Sequence, residues 1–71
     1  MVLVYLTSGD CIEVEGAVST QEDEWTLSCM DSHGKPLATF ELATVETFTS
    51  DSEVADQMKE DVCEDLSVIP A

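Results

Sequence analysis

The sequence has almost no positive charge. It contains no arginine and only two lysines, Lys35 and Lys59, against 16 aspartate and glutamate residues, so its formal net charge is -14 on 71 residues. Self-repulsion at this density opposes the compact state. Such a surface repels nucleic-acid phosphates and anionic lipid. The expected kind of partner is therefore a basic surface on another protein, with no direct nucleic-acid contact and no membrane.

Long apolar runs and closely spaced cysteine pairs of the metal-binding type are also missing. No apolar run approaches the roughly 18 residues that cross a bilayer, and the apolar start, residues 1–6, lacks the length and the basic segment of a signal peptide. These absences predict a cytoplasmic protein. The three cysteines, Cys11, Cys29 and Cys63, are odd in number and lack metal-type spacing. They predict reduced, mostly buried thiols rather than a disulfide framework.

No catalytic or metal-binding motif is present. Cys29 and His33, with Asp31 between them, form one conceivable metal-binding fragment, but the second ligand pair typical of a zinc site is missing. The calcium-binding EF-hand pattern is missing as well. His33 has no orienting partner at a spacing typical of a nucleophile and its base. We therefore predict no enzyme activity, no metal and no cofactor.

The apolar residues that are present, 44% of the chain, follow strand patterns through residues 1–49. Residues 2–6 form a continuous apolar run, typical of a strand covered on both faces. Turns are predicted at Gly9 and Gly34, where glycine accepts a positive φ. A shift of the inward phase near Leu42 predicts a break before the last β-rich segment.

Acidic residues occupy the outer positions of this β-rich region. Glu13 and Glu15 alternate with apolar residues, which predicts a half-buried strand with an exposed acidic face. A loop cluster follows, consisting of Glu22, Asp23 and Glu24. The next strand alternates again, and its phase predicts that Trp25 faces the core together with Leu27 and Cys29.

The hydrophobic period changes to a helical one in the last third. The segment Ser50 to Glu53 has the form of a capping box, which predicts an N-cap at Ser50. Pro70 marks the end of the element. One amphipathic helix is expected over residues 50–67. Its apolar face would consist of Val54, Ala55, Met58, Val62, Leu66 and Ile69.

These patterns predict an α+β fold with a small antiparallel sheet or SH3-like barrel of four to five strands, followed by one C-terminal amphipathic helix. The chain is expected to be a single domain, 1–71, with a β-sheet region at 1–49. The order of turns and strands in residues 1–49 resembles that of small SH3-like or Sm-like barrels. The segments that carry this resemblance are Gly9-Asp10, Ile12 to Gly16, Asp31 to Gly34 and Phe40. Nucleic-acid-binding barrels of that kind carry basic or aromatic surfaces, which this chain lacks.

Four carboxylates lie on one side of the predicted helix. They are Glu53, Asp56, Glu60 and Glu64, called the acidic row here. Their spacing places them within about 80° of arc at steps of about 4.5 to 6 Å. Like charges at this spacing destabilise a helix by about 0.2–0.5 kcal/mol per pair. Because interleaved lysines are missing, we interpret the row as a rigid anionic ridge for a basic partner, with a solvated helix face as the alternative.

A folded domain with carboxylates on rigid elements can occupy a basic groove that normally receives nucleic-acid phosphates. In size and character the chain resembles the small acidic DNA-mimic inhibitors of phages and mobile elements, which include anti-CRISPR and antirestriction proteins. The resemblance implies an inhibitor of a nucleic-acid-handling complex, most specifically an anti-CRISPR protein acting on a CRISPR effector in a bacterial host cytoplasm. The expected binding residues are the acidic row, the loop cluster, Glu13 and Glu15.

Two other functions account for the same composition. The chain could be a small β-barrel adaptor that oligomerises, for example as a homodimer, through its strand edges. It could also be a halophilic domain whose acidity serves solubility alone. The salt concentration distinguishes these three functions. Binding of a phosphate mimic to a basic groove weakens as salt is added, whereas apolar association of an adaptor persists. A halophilic domain unfolds when salt is removed.

Overall fold

The chain folds into seven β-strands and one α-helix, described for residues 1–71 in a computed structural model. The elements are β1 (Val2–Leu6), β2 (Asp10–Val14), β3 (Ser19–Glu22), β4 (Thr26–Met30), β5 (Pro36–Glu41), a 3₁₀ turn (Leu42–Thr44), β6 (Val45–Thr49), α1 (Ser52–Asp61) and β7 (Asp65–Ile69). The first sheet has the order β6-β1-β2-β7 and the second β3-β4-β5. The prediction of four to five strands followed by a C-terminal helix is therefore wrong.

The core lies between the two sheets. Val2, Val4 and Val14 of the first sheet pack in one fully buried cluster with Leu27 and Cys29 of the second sheet. These residues occupy alternate positions along their strands, and alternate side chains in a strand point to the same face. The period-two pattern thus sets which residues the sheets bury against each other.

The helix covers the opposite face of the first sheet. Leu3 and Cys11 are fully buried there with Ala55 of α1, and Met58 packs against them. The apolar run of β1 is therefore enclosed on both faces, as its sequence predicts. β6 and β7 lie at opposite edges of the first sheet, so α1 crosses this face between them.

The helix ends earlier than its apolar pattern predicts. The amides of Val62 and Cys63 both donate to the Met58 carbonyl, which ends α1 at Asp61, and residues 65–69 form β7 in parallel pairing with β2. The predicted helix 50–67 is thus wrong beyond residue 61. The apolar residues at 62, 66 and 69 have helical spacing, but Leu66, Val68 and Ile69 also suit a short strand, and pairing with a distant partner, β2, makes this segment a strand. This helix is not long and apolar enough to cross a bilayer.

Asp51, not Ser50, is the N-cap of α1. Its Oδ1 accepts hydrogen bonds from the amides of Glu53, at 2.9 Å, and Val54, at 3.3 Å. These bonds satisfy two of the amides that have no partner within the first turn. The capping-box pattern located the start of the helix to within one residue.

Cys11 and Cys63 form a disulfide, with their Cα atoms 5.5 Å apart. The prediction that all three cysteines are reduced thiols is therefore wrong. Cys11 precedes Cys63 by 52 residues, and the parallel pairing of β7 with β2 brings them together. Cys29 is a free, fully buried thiol, as predicted, and its burial raises the pKa of the thiol.

Local turn predictions are confirmed. Gly9 and Gly34 have φ values of +96° and +76°, a region that residues with a Cβ rarely adopt. The predicted break near Leu42 is the 3₁₀ turn between β5 and β6. Each of these features depends on the residues beside it, so the sequence reveals it without knowledge of the tertiary structure.

Candidate functional site

Almost none of the acidic side chains has a counter-charge. Glu13 and Asp56 are the two carboxylates paired with a cation, and both pairs are made by Lys59. The remaining side-chain carboxylates form no ion pair, although the chain has 16 acidic residues. The negative charge predicted from composition is therefore presented to solvent rather than neutralised within the fold.

Lys59 lies at the junction of α1 and β2. Its Nζ contacts the Glu13 carboxylate and lies 3.9 Å from Asp56 Oδ1. The side chain of Glu13 is only 14% exposed, because α1 covers this face of the first sheet. The predicted exposed position of Glu13 is therefore wrong, and this residue has a structural partner.

The charges around Lys59 favour its ammonium form. The hydrogen bond to Glu13 is the main cause that raises the pKa of Lys59 above its ordinary value of 10.5, while desolvation opposes the shift and the negative charges of Glu13, Asp56 and Glu15 add to it. Glu15 is exposed, just beyond the end of β2. The helix and β2 acids thus gather around one lysine and keep a net negative charge.

Replacing Lys59 by methionine is expected to lower the free energy of unfolding by about 1–2 kcal/mol. The substitution leaves Glu13 under the helix without its counter-charge, but the partial exposure of the lysine limits the loss. The double variant Glu13→Gln/Lys59→Met should regain part of this stability. Urea unfolding at pH 7 measures both, and a double variant no more stable than Lys59→Met would contradict the pairing.

This pair also sets an alkaline pH dependence. Because the folded-state pKa of Lys59 is raised, its stabilising contribution is complete below pH 10.5 and is lost as the pH rises through the folded-state value. The free energy of unfolding of Lys59→Met should therefore decrease less than that of wild type as the pH rises through this range.

Three members of the acidic row lie together on the helix. Glu53, Asp56 and Glu60 line an open depression of about 300 Å³ with Gln57, and no apolar residue contributes to it. We call Glu53, Asp56 and Glu60 the α1 acidic face. All three are exposed. Their predicted grouping on one side of the helix is confirmed.

Glu64, the fourth member of the acidic row, lies elsewhere. It follows the end of α1, and its amide donates to the Gly9 carbonyl at 3.0 Å. A Cβ at position 9 would stand 3.0 Å from Glu64 Oε2, so the carboxylate lies against the β1–β2 turn. The i+11 spacing fails because the helix has ended.

The loop cluster lies on the second sheet, at the β3–β4 turn. Asp23 Oδ1 accepts hydrogen bonds from the amides of Trp25 and Thr26, each at 2.9 Å, and its own amide donates to the Thr26 carbonyl. The two side-chain bonds, chiefly the one from Trp25, lower the pKa of Asp23 below its ordinary value of 3.8. Asp23 therefore holds the turn, whereas Glu22 and Glu24 remain exposed.

Asp23→Ala is expected to loosen this turn, and Asp23→Asn to loosen it less, because an amide oxygen can still accept both bonds. Faster hydrogen exchange at the amides of Trp25 and Thr26, measured by NMR, should follow the order alanine, asparagine, wild type. Since the folded pKa of Asp23 is lowered, its contribution is present above pH 3.8 and is lost as the pH falls. Equal exchange in all three proteins would contradict the assignment.

Trp25 is 74% exposed and does not face the core, so its predicted inward position is wrong. The residue belongs to the Asp23 turn, one position before β4 begins, and the strand alternation does not extend to it. With Leu42 and Ala43 it lines an open cavity of about 540 Å³, together with Glu24, Thr26 and Glu41. Asp23 at the first turn position was the signal that could have placed Trp25 outside the strand.

Neither a scan of protein-family models nor searches of the curated proteins and of the solved structures found a match for this chain. What the protein binds must therefore be inferred from its own residues.

Proposed function

We propose that the protein is an acidic inhibitor that occupies the basic nucleic-acid-binding groove of a partner, acting as an anti-CRISPR protein on a CRISPR effector. The α1 acidic face supplies carboxylates in place of phosphates, and Glu15 extends it at the end of β2. Glu22 and Glu24 form a second acidic contact on the other sheet. Glu13 is left out of the contact because its side chain is mostly covered, and Asp23 because its carboxylate accepts two backbone amides. Asp56 is kept because its side chain is 80% exposed despite its contact with Lys59.

The observation that carries this proposal is the lack of counter-charges around the exposed carboxylates. A surface acid that only promotes solubility is usually interspersed with lysine or arginine, but Lys59 alone forms ion pairs here. The α1 acidic face is held on a helix that is capped at Asp51 and packed through Ala55. Because the backbone of the helix is already ordered, binding costs no backbone entropy and only the side chains must be fixed, which favours a specific contact.

The proposal is tested by capture from a bacterial lysate at moderate salt, followed by elution with duplex DNA. The expected result is a nucleic-acid-binding complex that DNA releases, because DNA and the inhibitor compete for one groove. An uncharged polymer of similar size serves as the control eluent. Recovery of no such complex, or of one that DNA does not release, would contradict the proposal.

One feature favours a second candidate, self-association. β7 is an edge strand of the first sheet, and its residues Leu66 and Val68 are 45% and 46% exposed. Unpaired edges with apolar side chains are templates for pairing with another chain. Sedimentation at rising salt separates the two functions, since salt screens repulsion between two acidic copies and strengthens a dimer, but weakens binding to a basic groove.

The proposed place of action is the cytoplasm of a bacterial host. Cytoplasmic reductants keep most thiols reduced, so the Cys11–Cys63 bond would be open in much of the protein there. A halophilic origin remains the third explanation of the charge. Folding at about 0.15 M salt, measured by circular dichroism, would argue against it, because a salt-adapted domain unfolds at low ionic strength.

A further inference from the structure

The cavity beside Trp25, called the Trp25 cleft here, combines an exposed aromatic ring with a carboxylate rim. Trp25, Leu42 and Ala43 form its apolar part, and Glu24 and Glu41 are its charged residues. The Leu42 amide donates to the Trp25 carbonyl at 2.9 Å, which joins the start of β4 to the 3₁₀ turn. The two sides of the cleft are thus connected by backbone structure.

The cleft contains no cation of its own. Lys59 lies on α1, which packs on the first sheet, and is paired with Glu13. Lys35 precedes β5, and its amide donates to Asp31 at the turn between β4 and β5, whereas Trp25 is at the opposite end of this hairpin. The carboxylates of Glu24 and Glu41 are therefore available to a positive group from outside.

We propose that the Trp25 cleft binds an arginine side chain of a basic partner. A guanidinium is planar, so it can stack on the indole ring of Trp25 while its N–H groups donate to Glu24 and Glu41. Hydrogen bonds between guanidinium and carboxylate groups are stronger than those between neutral groups. Tryptophan and arginine are also the residues that most often dominate protein–protein contacts.

The negative charge of the cleft disfavours two other ligands that can contact an exposed tryptophan, namely nucleic acids and anionic lipids. A nucleic-acid base can stack on such a ring, but the proteins that bind single strands line the groove with positive charge to hold the backbone. Here Glu24 and Glu41, on a chain of net charge -14, repel phosphates. The same repulsion acts on anionic lipid headgroups.

This inference rests on the proposed function in one respect, that the partner is basic. It extends the proposed contact of Glu24 on the second sheet to Trp25 and Glu41, and it gives that contact a preference for arginine. The proposed function and the inference about the cleft can fail separately. Binding of a short peptide to the cleft requires no partner complex, and the capture of a complex that DNA releases does not depend on the cleft alone.

The test uses intrinsic fluorescence, since Trp25 is the only tryptophan in the chain. The probe is a pentapeptide of three glycines and two arginines whose termini carry no charge. The controls are the same peptide with lysine, or with citrulline, in place of both arginines. The arginine peptide is expected to change the fluorescence in a saturable way. The lysine peptide should bind about threefold more weakly, and the citrulline peptide, which has no charge, should not saturate.

A matched pair of variants locates the binding. Glu24→Gln/Glu41→Gln should weaken the arginine peptide about fivefold, whereas Glu53→Gln/Glu60→Gln, with the same change of charge on α1, should change its affinity less than twofold. Circular dichroism confirms that both variants fold, and NMR shifts at the Leu42 and Ala43 amides report binding independently of fluorescence. Equal weakening in both variants, saturation by the citrulline peptide, or no saturable signal from the wild type would overturn the proposal.

Discussion

Reversing three charges on the α1 acidic face, with Glu53→Lys, Asp56→Lys and Glu60→Lys, is expected to weaken binding to the basic partner by at least about 100-fold. Each exposed ion pair contributes only about 0–1 kcal/mol, so a single reversal should have a small effect. Three reversals replace attraction by repulsion at neighbouring points and also remove electrostatic steering of the encounter. Binding is measured by titration against the captured complex at about 0.15 M salt.

The effect of net charge on affinity must be distinguished from the effect of where the charges lie. The double variant Glu53→Lys/Glu60→Lys is therefore compared with Glu46→Lys/Asp65→Lys, which has the same net charge but alters β6 and β7. All four residues are exposed and none forms an ion pair. The first variant should bind at least about tenfold more weakly than the second. Equal affinities would show that the helix has no special part in binding.

Reducing the Cys11–Cys63 disulfide is expected to lower the free energy of unfolding by about 4 kcal/mol. The bond joins residues 52 positions apart, and closing a loop of this size restricts the unfolded chain by about that amount in the chain-entropy account. A domain of this size has a total stability of about 4–11 kcal/mol. The reduced protein should therefore be partly unfolded at temperatures at which the oxidised protein is folded.

The measurement is urea unfolding of wild type with and without a phosphine reductant, with the thiol content determined beforehand. Cys29→Ala is the matched control, because it removes a cysteine while leaving the bond intact, and its unfolding should remain sensitive to the reductant. The double variant Cys11→Ser/Cys63→Ser should resemble reduced wild type and should not respond. An unchanged midpoint in fully reduced wild type would contradict the expected stabilisation.

Features with local causes were predictable from the sequence. The positive φ of Gly9 and Gly34 follows from their turns, and the start of α1 follows from the polar residues before it. The alternation in β2 assigned Val14 to the core, where it is buried. Glu53, Asp56 and Glu60 were grouped correctly because helical spacing alone places them on one face.

Features that depend on distant partners were not predictable. β7 is a strand because β2 pairs with it, and the same pairing brings Cys63 to Cys11. The crossing of α1 over the first sheet covers Glu13, whose alternation pattern is the same as that of an exposed residue. No periodicity in one segment contains this information, so these errors occur where elements meet. The covered position of Glu13 and the displacement of Glu64 from α1 could not be predicted for this reason. The hydrogen bonds of Asp23 have a local cause, the turn that it begins.

The central claim is that carboxylates of this protein occupy a groove that otherwise holds nucleic acid. The most direct test is the apparent Kd of the protein for the captured complex, measured at fixed salt as the concentration of duplex DNA is raised. Competition for one groove predicts that the apparent Kd rises in proportion to DNA once the groove is saturated. An apparent Kd that stays constant while DNA remains bound would show that the two occupy different sites, and would contradict the account.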